Sequence, residues 1–114
     1  MAITGNAIFK NTVGGNCELG ALTVSGTTRF NAGATNVKTD KSNGTGNQTY
    51  TGAVTFVNPL TITTGDGDLT FSDNVNSSST LVINLGGGSL TPASLSKLQS
   101  TLTGLTVNLS LIHI

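Results

Sequence analysis

Ten segments of alternating apolar and polar residues run through this sequence. Each is only three to five residues long: Ala7–Lys10, Leu22–Ser25, Thr28–Asn31, Asn36–Thr39, Gln48–Tyr50, Ala53–Val57, Leu60–Thr63, Leu69–Ser72, Thr80–Asn84 and Leu105–Leu109. Alternation sends successive side chains to opposite faces, the pattern of a strand with one face buried. Between the segments stand Gly14-Gly15-Asn16, Asn31-Ala32-Gly33, Asn43-Gly44-Thr45-Gly46-Asn47, Gly65-Asp66-Gly67-Asp68 and Gly86-Gly87-Gly88. Glycine and asparagine accept the positive φ that tight corners demand. Strands this short, turning this sharply, fit a solenoid better than a sandwich, whose strands are usually longer.

The sequence also resembles itself. Phe9 and Val13 align with Phe71 and Val75 at an offset of 62 residues. Leu22-Thr23-Val24 aligns with Leu81-Val82-Ile83, and better with Leu105-Thr106-Val107. Such degenerate self-similarity marks a repeat architecture, here with a unit of about 60 residues holding two or three coils of about 20 to 30 residues each. Stacked coils would pair through parallel strands about 4.8 Å apart. Val, Ile, Leu and Phe would fill the interior, with Thr, Asn and Ser facing water. The fold expected is all-β, a right-handed parallel β-helix spanning residues 1–109.

Composition agrees and narrows the function. Twenty Thr, fifteen Gly, twelve Asn and eleven Ser make up about half the chain. Five Lys/Arg balance five Asp/Glu, so the chain lacks the positive charge that tracks a phosphate backbone, and nucleic acid is not an expected partner. No apolar run of about 18 residues occurs, so this segment is not expected to insert into a membrane as a helix. Hydrophobic residues reach 36% with no net charge, which opposes disorder. Cys17 is alone, so it has no partner for an intrachain disulfide.

Two stretches depart from the pattern. Within Thr91–Leu102 the leucines Leu95, Leu98 and Leu102 recur at helical spacing after Pro92, which predicts a short helical turn near 93–101. The last five residues, Ser110-Leu111-Ile112-His113-Ile114, resemble the translated read-through of a sequencing adapter. The tail 110–114 is read as such an artefact.

Three blocks carry a family resemblance: Leu19–Gly26, Thr45–Phe56 and Leu60–Phe71. They are similar to repeat blocks of bacterial filamentous-haemagglutinin-like and autotransporter-type adhesins. The resemblance covers roughly residues 6–109. It implies a β-helix that is secreted or displayed on the surface of a Gram-negative bacterium and acts in adhesion. It brings no catalytic residues. The family's N-terminal secretion domain and C-terminal anchor have no counterpart in these residues, so the chain reads as an internal fragment. Its expected partners are the flanking coils of a longer protein, together with host-surface or glycan ligands.

The motifs that invite chemistry are few. Asp66 and Asp68, in Gly65-Asp66-Gly67-Asp68, are weak candidates for calcium, because carboxylates at tight turns bind that ion. The calcium-binding β-roll pattern wants Gly-x-Gly-x-Asp, and Leu69 stands where the acid should be. Gly86-Gly87-Gly88 lacks the Lys-Ser/Thr pair of a phosphate loop. Lys38 and Lys41 flank Asp40, as in a solvated loop or a contact for an acidic glycan. No catalytic, cofactor-binding or metal-binding residues are therefore expected. An enzyme on this scaffold, a polysaccharide lyase or hydrolase, would need clustered acids or an Asp/Arg/Lys group; the five acids are scattered and Arg29 is the only arginine. A phage tail-fibre solenoid, which would trimerise, is the other alternative. Finally, Thr49/Thr51 and Thr61/Thr63 form Thr-x-Thr pairs. Aligned columns of such pairs order water and suit ice or a carbohydrate, provided successive coils share one register. The irregular repeats do not promise that register.

Overall fold

The structure, a computed structural model, describes residues 1–15, 18–77, 79–90 and 104–109. Its strands in chain order are β1 (Ala2–Ile3), β2 (Ala7–Phe9), β3 (Leu22–Val24), β4 (Thr28–Phe30), β5 (Asn36–Lys38), β6 (Gln48–Tyr50), β7 (Val54–Phe56), β8 (Leu60–Thr63), β9 (Leu69–Phe71), β10 (Val75–Asn76), β11 (Leu81–Gly86) and β12 (Leu105–Leu109). All ten expected strands are present. The two that alternation missed, β1 and β10, are two residues each, too short to show a period.

The strands wind into three parallel sheets of four strands each. The first sheet is β1-β3-β6-β9, the second β2-β4-β7-β10 and the third β5-β8-β11-β12. The second, third and fourth turns of the chain each add one strand to each sheet. The protein is a β-solenoid of about four turns. Val13 and Leu19 supply the third side of the first coil, bridging to Val37 and Thr39. The expected helical turn near 93–101 and the tail 110–114 lie outside the described residues, as does Cys17.

The coil repeat is 21 residues: Ala2 pairs with Thr23, Gln48 with Leu69, and Leu69 with Leu90. The second coil is longer, since Leu22 pairs with Gln48, an offset of 26. A 3-10 turn at Lys41–Asn43 takes up part of the extra length. The 62-residue alignment is therefore not the repeat. It matches Phe9 of the second sheet to Phe71 of the first. Leu22-Thr23-Val24 lies in the first sheet, whereas Leu81–Ile83 and Leu105–Val107 lie in the third. The three sides of one coil look alike in sequence because each presents the same inward–outward alternation.

Inward residues stack in columns. One column runs Val37, Ile62, Ile83 in the third sheet and another Leu60, Leu81 beside it, all at most 1% exposed. Burying each such side chain contributes roughly 1.5–3 kcal/mol. The aromatics form a row through the interior. Phe9 stacks on Phe30 at 5.3 Å, Phe30 meets Tyr50 edge-on at 6.2 Å, and Tyr50 stacks on Phe71 at 5.3 Å. The row passes from the second sheet to the first between Phe30 and Tyr50. The exterior is not the sole place for polar residues, as the sequence suggested. Thr28, Thr39, Gln48 and Thr64 face inward and are buried.

Candidate functional site

The residues with the most suggestive chemistry gather where the third sheet turns into the first. Three successive coils turn that corner with Asn43-Gly44-Thr45-Gly46-Asn47-Gln48, Thr64-Gly65-Asp66-Gly67-Asp68-Leu69 and Leu85-Gly86-Gly87-Gly88-Ser89-Leu90. From Gly46, Gly67 and Gly88 onward they are in register at the 21-residue interval, whereas upstream the second coil carries its extra residues and Gly65 packs against Asp40. The candidate calcium loop and the candidate phosphate loop are thus the same corner in neighbouring coils.

Close approach explains the glycines. A Cβ on Gly67 would sit 2.1 Å from the carbonyl carbon of Gly46, and one on Gly88 would sit 1.8 Å from the carbonyl oxygen of Gly67. Gly46, Gly65, Gly86 and the non-glycine Asp66 take positive φ. The polar side chains bond up the stack. Asn47 Oδ1 accepts the N–H of Asp68 at 2.8 Å, and Asp68 Oδ1 accepts the N–H of Ser89 at 2.9 Å and its hydroxyl at 3.0 Å. Asp66 Oδ1 accepts the N–H of Gly87 at 2.7 Å. One oxygen of each carboxylate is therefore committed to the next coil.

The other acids stand elsewhere. Asp73 lies beyond the far end of β9, at the corner between first and second sheets, where it accepts the N–H of Asn74 at 2.7 Å. Asp40 caps the 3-10 turn by accepting the N–H of Ser42 at 2.9 Å. Among the described residues, no group of three or more His, Cys, Asp or Glu is placed to hold a metal ion. Among them too, no helix is long and apolar enough to cross a membrane. Lys38 is half-buried on the third sheet and Lys41 is exposed in the capped turn. Arg29 projects from the second sheet, its Nε donating to Asn31 Oδ1 at 2.9 Å.

A buried polar cluster escaped sequence reasoning. Gln48 stands in an apolar column between Leu22 and Leu69. Its Nε2 donates to Thr39 Oγ1 at 3.2 Å and to the Thr63 carbonyl at 3.1 Å. Tyr50 donates its hydroxyl to Gln48 Oε1 at 2.6 Å, and Thr39 donates to the Gly46 carbonyl. Burial pushes the Tyr50 hydroxyl pKa far above its ordinary value. The cluster is closed upon itself at the longer coil, which suits a structural seal rather than a reaction centre. The alternation that reveals a strand cannot tell an inward Gln from an inward Leu by partner, so its neighbours were not foreseeable.

The Thr-x-Thr pairs fare differently. Thr61 and Thr63 adjoin Asn36 and Lys38 on one side and Val82 and Asn84 on the other, so their columns are mixed. Thr49 lies between Thr23 and Thr70, in register. The chain matches no family model, no curated protein and no solved structure.

Proposed function

We propose that the chain is a structural and adhesive segment of a secreted or surface-displayed bacterial adhesin, and that it carries no reaction of its own. The open first coil supports this reading most directly. Ile3, Phe9, Val13 and Leu19 pack against the core but remain partly exposed. Val24, Phe30 and Val37, stacked on three of them in the second coil, are 0% exposed. A coil does not cover its own interior, so its natural partner is another coil of the same kind. Flanking coils would pair with the edges of β1 and β2 and cover Phe9. The neutral polar exterior fits a stalk that presents surface to host or glycan ligands outside a Gram-negative cell.

The test is display. Bacteria carrying this segment between flanking β-helix coils should adhere to host cells or glycan-coated surfaces more than bacteria carrying the flanking coils alone. Equal adherence contradicts the adhesive role. Incubation with polysaccharides should release no new reducing or unsaturated ends. Turnover that disappears on replacing Asp66, Asp68 and Asp73 with Asn would restore the enzyme reading.

A further inference from the structure

The outward face of the first sheet carries two columns of hydroxyls in register. Thr23, Thr49 and Thr70 are Cα partners across β3, β6 and β9. Two residues on, Ser25, Thr51 and Ser72 continue the same alignment, their N–H groups donating to Ile3, Val24 and Tyr50 carbonyls of the preceding coil. Thr23, Ser25, Thr51 and Ser72 are exposed, and Thr49 and Thr70 half-buried. None of these six hydroxyls bonds to another group of the described residues. The other two sides present no such array. The second sheet shows Ile8, Arg29, Thr55 and Asn76 outward, and the third mixes Asn, Lys, Thr and Val.

We propose that this face binds ice. The spacing is fixed by the backbone: about 4.8 Å between coils and about 6.6 Å between alternate residues of a parallel strand. Four-coordinate water joined by O–H···O bonds of about 2.75 Å places second-neighbour oxygens about 4.5 Å apart and repeats at about 7.3 Å across its layers. The two grids differ by about 0.3 Å between coils and about 0.7 Å along the strand, within the reach of a side-chain rotamer. A ligand gains from a two-dimensional grid of unpaired hydroxyls only if it repeats in two dimensions itself. The columns hold no charge to attract an ion. They hold no aromatic ring on which a sugar could stack, since Tyr50 and Phe71 point inward. This inference is independent of the adhesive role, and adherence of displaying cells bears on neither side of it.

Partition into a slowly growing ice front tests it, with the full chain kept folded as judged by circular dichroism. The protein should be retained in the ice several-fold above an inert soluble protein of similar size. Thr49→Lys and Thr51→Lys, each placing a charge in one column, should fall to the inert level; either one that folds suffices. Thr61→Lys, on the third sheet, should be retained like the parent. Retention of the parent at the inert level overturns the proposal, as does undiminished retention of a folded Thr49→Lys or Thr51→Lys. Binding to crystalline polysaccharide without retention in ice overturns it as well.

Discussion

Thr28 and Thr39 are both buried threonines, 1% exposed, yet they do opposite things for stability. Thr39 is held on both sides by Gly46 and Gln48. The Thr28 hydroxyl has no hydrogen-bond partner among the described residues, and it stands in a column between Ala7 and Val54. An unpaired buried hydroxyl costs roughly 1–3 kcal/mol. Thr28→Val should therefore raise stability by about 1 kcal/mol, and Thr39→Val should lower it by about 1–3 kcal/mol. Urea denaturation of both variants checks this, and shifts of the same sign would contradict the assignment. Tyr50 adds a pH dependence. Its hydroxyl stays protonated in the folded chain well above the ordinary value of 10.0. Above about pH 10 the unfolded chain binds fewer protons than the folded one, so stability falls as pH rises, by about 1.4 kcal/mol per unit. Below that pH the group contributes no slope. Tyr50→Phe should flatten this alkaline loss relative to the parent in a denaturation series taken through the alkaline range.

At the scale of the element, corners decide more than strands. Gly5, Gly26 and Gly52 occupy the same corner, between the first and second sheets, in three successive coils. A Cβ on Gly52 would lie 2.5 Å from the Gly26 carbonyl oxygen, whereas one on Gly5 meets nothing within 4 Å. Gly52→Ala should cost about 1–3 kcal/mol while Gly5→Ala is nearly neutral. Thermal unfolding of the pair checks it, and equal losses would refute the stacked corner. The strands themselves were legible in the sequence because Leu-Thr-Val, Thr-Arg-Phe and Leu-Thr-Phe alternate cleanly. The corner glycines were also legible as corners. Their stacking was not, because the second coil carries its extra residues just before Gly46, so that Gly65 packs against Asp40 and not Gly44, and only Gly46, Gly67 and Gly88 stack at the 21-residue interval. The hydroxyl columns were half legible: Thr49-x-Thr51 stood out, but Thr23-x-Ser25 and Thr70-x-Ser72 join it only once the register is known. The Gln48 cluster was not legible, because Tyr50 shares its strand but Thr39 and Thr63 reach it from other sides of the coils.

For the whole molecule, the exposed interior of the first coil is the dominant fact. Unpaired strand edges beside Ile3, Phe9, Val13 and Leu19 invite association with any chain that offers a matching edge. The isolated chain should be marginally stable and should scatter more light as concentration rises, and a sharply melting, monodisperse monomer would contradict this. The corners, the columns and the open end all depend on the parallel register, 21 residues in most coils. Oxidative cross-linking reads it directly. In a Cys17→Ser background, Thr49→Cys with Thr70→Cys places two thiols on Cα partners of adjacent strands, within the span a disulfide bridges. The pair should close an intramolecular disulfide under mild oxidation, whereas Thr49→Cys with Thr63→Cys, on a different sheet, should not. Failure of the first pair to close, or closure of the second in its place, would contradict the solenoid as described.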